Sequence, residues 1–131
     1  MVRWKFIQRF SGERPTIELE LYNAKFQRIN KEFVIDTGFD GSILVDRETY
    51  DFFKVGELPE EYWYKYKALN GVVVMRTAKA FVKLLKDAIE VDVVSPRDFE
   101  GKNLVGLRLI NGLRLFLDGV EKKTCLVEPL D

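Results

Sequence analysis

No histidine occurs among the 131 residues, and that absence removes the usual general base of Ser-His-Asp and Cys-His hydrolases. The single cysteine, Cys125, has no partner for an internal disulfide, and one thiol without any imidazole is a poor start for a zinc site. Net charge is missing too. The 21 Lys and Arg balance 21 Asp and Glu, so no overall field gathers polyanions, and no basic run is interleaved with aromatics as a nucleic-acid groove requires. No apolar stretch approaches the roughly 20 residues of a membrane-spanning helix. The N-terminal segment is broken by Arg3, Lys5 and Arg9, unlike the apolar centre of a signal peptide. The expectations are a soluble, cytoplasmic protein with no metal, no cofactor, no nucleic-acid partner and no membrane association. Its chemistry has to rest on carboxylates, hydroxyls, Lys, Tyr and backbone groups.

What is present suffices for one core. With 47% hydrophobic and 13% aromatic residues in a chain too short for two ordinary domains, a single domain over residues 1–131 is expected. Strand-like alternation dominates the first third: Trp4 and Phe6 in one run, then Ile17, Leu19 and Leu21 between Glu18 and Glu20. Ser11 to Pro15 between them reads as a hairpin turn, and Gln27 to Lys31 as a separator before the apolar run Phe33-Val34-Ile35. After a second apolar run, Ile43-Leu44-Val45, the segment Asp46-Arg47-Glu48-Thr49 has the capping residues of a helix carrying Tyr50 and Phe53. Pro59 to Trp63 reads as one more helical turn.

From Lys65 the strand pattern returns. Asn70-Gly71 is the strongest hairpin signal, because both residues tolerate the positive φ of a type I′ turn. A second hairpin is expected about Lys86-Asp87, between Phe81–Leu85 and Ala88–Val94. Leu104-Val105-Gly106 reads as a short strand stopped by glycine. A turn or two of helix follows, ending in an Asn111-Gly112 cap, and strands over 113–117 and 124–127 complete the chain. The fold class is therefore all-β, mainly short strands with one or two short helices.

Chemistry concentrates at Asp36-Thr37-Gly38, where the apolar triplet ends. A carboxylate at the end of a buried strand is costly unless it is hydrogen-bonded or shares a proton. The chain offers one such Asp. If two chains meet about a twofold axis, their Asp36 side chains lie side by side and cannot both ionise near neutral pH, so one supplies a general acid and the other a general base.

The segment Phe33 to Leu44, with its Asp36-Thr37-Gly38, resembles the active-site segment of the retropepsin-like aspartic proteases, and Leu104-Val105-Gly106-Leu107-Arg108-Leu109-Ile110 is similar to that family's second-half motif. The resemblance spans roughly Phe33 to Leu117 and looks closer to the cellular or archaeal single-motif branch than to the viral one. It implies an acid-protease barrel with one lobe per chain, and a homodimer acting on a peptide or protein substrate. It further implies an aspartic endopeptidase whose Asp36 dyad activates a water to attack a peptide carbonyl without a covalent intermediate. By the same resemblance Thr37 hydrogen-bonds across the dimer, Gly38 lets backbone approach the carboxylates, Asp40 binds substrate backbone, Asn70 and Gly71 form the tip of a flap, and Gly106 marks the second half. A member that keeps the fold but serves as a non-catalytic dimerisation or peptide-binding module is the alternative.

Departures from the family's pattern are visible. Retroviral members carry Arg directly after the second-half glycine, where Leu107 stands here with Arg108 one place later. Phe39 is bulky where the family often has a small residue, and the stretch from Asp46 to Lys65 is longer and more aromatic. Other motifs fail on chemistry. A dehalogenase-type phosphatase needs an Asp two residues before Asp40-Gly41 and finds Gly38, while an EF-hand from Asp36 would place Arg47 where calcium requires a carboxylate. A monomeric protease would need a second Asp-Thr-Gly, and Asp118-Gly119 lacks the Thr. Without the resemblance, Asp36-Thr37-Gly38 is an Asx-type turn after a core strand, and the aromatics Tyr62, Trp63, Tyr64 and Tyr66 read as packing residues in preference to a ligand site.

Overall fold

The computed structural model describes residues 3–130, with ten strands, two short α-helices and two single turns of 3-10 helix. The first strand, β1 (Trp4–Ser11), does not form the hairpin expected of it. Its partner is the last strand, β10 (Lys123–Pro129), antiparallel from Trp4 opposite Pro129 to Ser11 opposite Lys123, with an irregularity between Phe6 and Gln8. The residues after Ser11 lead the chain away into a separate sheet instead of turning it back. Gly12 donates its N–H to Lys122 O at 3.1 Å, tying the end of β1 to the other end of the chain.

β2 (Thr16–Tyr22) keeps the alternation read from its sequence: Ile17, Leu19 and Leu21 are buried, and Glu18 and Glu20 face outward. It pairs along its whole length with β3 (Arg28–Ile35), so the expected separator at 27–31 is mostly strand. Asn23 sets the turn between them. Its buried Oδ1 accepts from the N–H groups of Lys25 and Gln27 at 3.0 and 3.1 Å, while Nδ2 donates to Gln27 Oε1 and Phe52 O.

β4 (Ile43–Leu44) leads into α1 (Arg47–Phe53), capped as expected by Asp46, whose side chain accepts from Thr49 N–H. Tyr50 and Phe53 on its inner face enter the core, and single helical turns at Lys54–Gly56 and Glu60–Tyr62 follow. This long aromatic stretch is braced against β6 (Gly71–Leu84): Arg76 clamps Glu57 at 2.7 and 2.9 Å, Tyr50 donates to the same carboxylate at 2.8 Å, and the guanidinium lies over the Tyr50 and Trp63 rings.

β5 (Tyr64–Ala68) forms a hairpin with β6. The reversal falls at Leu69 and Asn70, one residue before the expected pair, since Ala68 pairs with Gly71. Asn70 keeps a negative φ and Gly71 alone takes the positive one, 129°, so the turn is not the type I′ expected. β6 then pairs with β7 (Asp87–Pro96) around Leu85 and Lys86, again one residue earlier than expected, with Leu85 at a φ of 55°.

β8 (Leu104–Val105) leads to α2 (Leu107–Ile110), one turn whose Asn111 cap is right-handed rather than the left-handed cap the Asn-Gly pair suggested. β9 (Leu115–Asp118) pairs with β10. The strands order as β2-β3-β8-β4-β7-β6-β5, and β2 also pairs with β6, so the sheet closes into a barrel with β5 as an extension. A smaller sheet, β1-β10-β9, stands beside it. Leu21, Phe33, Ile43, Val82, Val93 and Val105 fill the barrel, and Tyr50 and Phe53 cap it. No helix among the described residues is long and apolar enough to cross a membrane.

Candidate active site

The candidate residues around Asp36 are brought together by an exchange of strands in the barrel wall. β8 inserts between β3 and β4, parallel to the first through Ile35 opposite Val105 and antiparallel to the second through Ile43 opposite Val105. The loop from Asp36 to Ser42 therefore leaves one side of β8 and returns on the other. Asp36 donates its N–H to Val105 O at 2.9 Å, and Phe39 N–H donates back to Asp36 O at 3.2 Å, which closes a tight turn. The half-buried Asp36 carboxylate accepts from Gly38 N–H through Oδ1 at 2.9 Å, whereas Oδ2 accepts from no described residue. Thr37, Gly38 and Asp40 are exposed beside it.

Gly106 locks this loop. Its N–H donates to Ser42 O at 2.9 Å, Leu107 N–H donates to Phe39 O at 2.8 Å, and Arg108 N–H donates to Gly41 O at 3.2 Å. A Cβ on Gly106 would fall 2.3 Å from Gly41 O and 2.5 Å from Phe39 O, distances no packing tolerates. Leu107 braces the loop through its backbone, and Arg108 is exposed with no carboxylate within 4 Å among the described residues.

Asn70 and Gly71 stand apart from these groups, exposed at the tip of the β5–β6 hairpin; a Cβ at Gly71 would meet nothing within 4 Å. It is the middle of the hairpin that reaches the loop. Tyr66 packs against Phe39 with ring centroids 6.2 Å apart and stacks on Tyr64 at 5.5 Å. These rings join Leu44, Met75, Val94 and Leu104 in a second apolar cluster. The Tyr66 hydroxyl lies close against Gly41, 3.1 Å from where a Cβ there would sit, and Phe39 is closer still at 2.6 Å.

The sequence favours packing over a ligand site for Tyr64 and Tyr66 and gives Gly41 no role. The available signal was their i, i+2 spacing, which places both rings on one face of a strand. Burial raises the Tyr66 phenol above its ordinary range, the neighbouring Tyr64 and Asp40 add to this, and Arg108 opposes it, so the group remains a hydrogen-bond donor at neutral pH.

A cavity of about 280 Å³ is lined by Gly41, Ser42, Tyr64, Tyr66, Arg108 and Leu109 among others. A larger one of about 360 Å³ lies elsewhere, among Ile7, Phe10, Leu19, Leu84 and Leu113. Neither is lined by Asp36, although Gly41 and Ser42 at the far end of its loop line the first.

No family model matches the chain, and no curated protein sequence matches it. Solved structures do. The chain is similar to EIAV protease complexed with the inhibitor HBY-793, at 18% identity and a TM-score of 0.53 over 79% of this chain and 93% of that one. It is also similar to a retropepsin-like aspartic protease from Rickettsia conorii, at 14% identity and a TM-score of 0.50 over 98% of both chains. The fold is retropepsin-like, as the resemblance in the sequence implied.

Proposed function

We propose that two copies of this chain assemble into an aspartic endopeptidase whose catalytic dyad is Asp36 and its symmetry mate. The observation that carries this reading is the presentation of Asp36: one carboxylate oxygen is held by Gly38 N–H, the other is engaged by no described residue, and Thr37 beside it is exposed. A single carboxylate so held can position a water but cannot act as acid and base at once. A second one in contact supplies the missing role, since two adjacent carboxyl groups retain one proton between them. The water then attacks the carbonyl of a peptide lying between the loop and the β5–β6 hairpin, and the shared proton reaches the leaving amine.

An assembly surface is available. Trp4, Phe6, Phe116 and Leu117 are each 41% or more exposed on the β1-β10-β9 sheet, with Phe6 edge-on to Phe116 at 5.8 Å, and β1 has a free edge. An exposed aromatic face on an edge strand is a liability in a monomer and is expected to be covered. Leu69 and Val72 at the hairpin tip are exposed as well and would meet substrate or the partner on closure.

The test is cleavage of a peptide library by the wild type and by Asp36→Asn, with a statine-type inhibitor as control. Loss of all cleavage in Asp36→Asn supports the dyad, and equal cleavage by both refutes it. Thr37→Cys tests the symmetry separately: loops meeting about a twofold axis give an oxidised dimer on a non-reducing gel, while buried Cys125 stays out of reach. A strictly monomeric active species would defeat the dimer, and a peptide-binding dimer without turnover would favour the non-catalytic module.

A further inference from the structure

β7 pairs with β6 from Asp87 to Pro96, but β4 covers its other edge only at Val93 and Val94. Which main-chain groups face the open part of that edge follows from the register. Val94 O accepts from Val45 N–H at 2.9 Å, so the polar groups of Val94 point away from β6, and along an unbroken ladder those of Asp92, Glu90 and Ala88 point the same way. The bonds to β6 run instead through Val93, Val91, Ile89 and Asp87. The parallel pairing of Ile43 with Val93 takes the Asp92 carbonyl. That leaves Asp92 N–H and both polar groups of Glu90 and Ala88 without a main-chain partner among the described residues. They lie along the cavity of about 280 Å³, which is lined by Ile89, Glu90, Val91 and Asp92 of β7, by Leu109 and Gly112 in and just past α2, and by Gly41 and Ser42 at the end of the Asp36 loop. The same edge leaves an apolar side chain, Ile89, 44% exposed.

Resting on the peptide-cleft reading above, we infer that a polypeptide substrate continues beyond the cleft as an added strand on β7, its main chain bonded to Ala88, Glu90 and Asp92. An extended chain is the ligand whose donors and acceptors recur at every second residue, ~6.6–6.8 Å apart, which is the spacing at which β7 presents its own. The stretch from Ala88 to Asp92 is ~13 Å long at the rise of a strand, enough for about four or five residues of substrate. The occupant is the substrate itself because the cavity is shared with Gly41 and Ser42: a chain bound at the Asp36 loop enters it without a break. Side chains on the inner face of the added strand cover Ile89. Recognition through main-chain groups selects a class of substrate, a locally unfolded segment longer than the cleft alone can hold, since a folded segment has already paired the groups that β7 needs.

The experiment measures binding to full-length Asp36→Asn protein, so that it can be read without turnover. The tightest hexapeptide from a random library is compared, by fluorescence polarisation, with the same hexapeptide carrying five alternating Thr and Ala residues at one end or the other. One of the two extensions should lower Kd ~10-fold or more, the worth of two or three main-chain hydrogen bonds. Single N-methyl groups placed along that extension should weaken binding ~3–10-fold at every second residue and little in between. Glu90→Pro removes an N–H that faces the cavity and spares the ladder bonds of Ile89 and Val91. It should forfeit ~3–10-fold of the gain, bind the bare hexapeptide as before and melt within a few degrees of its parent. Glu90→Ala, which loses the same carboxylate but keeps the N–H, should retain the gain. An extension that adds nothing, or N-methyl effects without the two-residue period, overturns the inference and leaves the cleft standing. A change in the sedimentation of the peptide-free protein on Glu90→Pro assigns the edge to a second copy and overturns it too. Should Glu90→Pro fail to fold, the N-methyl series decides alone. If no peptide binds, the cleft itself is refuted and this inference falls with it.

Discussion

Gly106→Ala perturbs the loop by one methyl group, and the structure fixes where that group would go. Its Cβ would stand 2.3 Å from Gly41 O, 2.5 Å from Phe39 O and 2.5 Å from the Phe39 ring. Two of these three atoms are backbone, and both carbonyls are engaged: Gly41 O accepts from Arg108 N–H, and Phe39 O accepts from Leu107 N–H. Relieving the overlap therefore means moving the loop away from α2 and stretching at least these two bonds. Overpacking alone costs about 1–3 kcal/mol, and the weakened backbone bonds add roughly 1 kcal/mol each.

A total of ~3–5 kcal/mol in a domain of this size lowers the melting temperature by roughly 10–20 °C. The assay is thermal unfolding followed by tryptophan fluorescence, at one fixed protein concentration because a dimer's stability depends on it. Two controls share the chemistry without the clash. A Cβ on Gly112 has its nearest neighbour at 3.5 Å, and one on Gly119 meets nothing within 4 Å, so Gly112→Ala and Gly119→Ala should stay within about 0.5 kcal/mol of wild type. Because Gly106 holds the loop that carries Asp36, any peptide cleavage should fall with the stability of Gly106→Ala. A Gly106→Ala protein as stable as the two controls would refute the claim that the second-half glycine is there for this close approach.

Arg76→Met should cost ~2 kcal/mol, since it leaves the Glu57 carboxylate, about four-fifths shielded, with only the Tyr50 hydroxyl and removes the cation from over two rings. Arg97→Met, whose partners Asp98 and Glu60 are 61% and 70% exposed, should cost no more than about 0.5 kcal/mol when both variants are compared with wild type by urea titration. Tyr50 carries a pH signature. Burial first, then its bond to Glu57, raises the phenol well above its ordinary value of about 10. The unfolded chain thus loses this proton at lower pH than the folded one, so the stabilisation is complete below about pH 10 and declines as pH rises beyond it. Urea titrations at pH 8 and pH 11 should show a smaller loss in Tyr50→Phe than in wild type; equal losses would mean that the phenol is not shielded.

How far the sequence could be read depended on whether the information was local. Ile17, Leu19 and Leu21 announce their strand by alternation, and Asp46 announces its helix by capping, because both effects act within a few residues. The Asp36 loop was legible for the same reason: an apolar triplet ending in Asp-Thr-Gly is a contiguous pattern. The partner of β1 was not. Pairing Trp4 with Pro129 closes nearly the whole chain, and nothing near Ser11 distinguishes a hairpin turn from a strand exit. The two hairpin turns were misplaced by a single residue because Asn70-Gly71 satisfies two geometries, and the one adopted spends only the glycine on a positive φ and lets Leu69 and Asn70 make the bend. The aromatic contact of Phe39 with Tyr66 was least accessible of all. It depends on a strand 25 residues downstream lying across the loop, and what makes room for it is Gly41, a position whose significance is the side chain it does not have. Three kinds of residue thus meet at the loop for three different reasons: Asp36 is legible from its motif, Gly106 from its position after an apolar pair, and Tyr66 only from the closed barrel that carries it there.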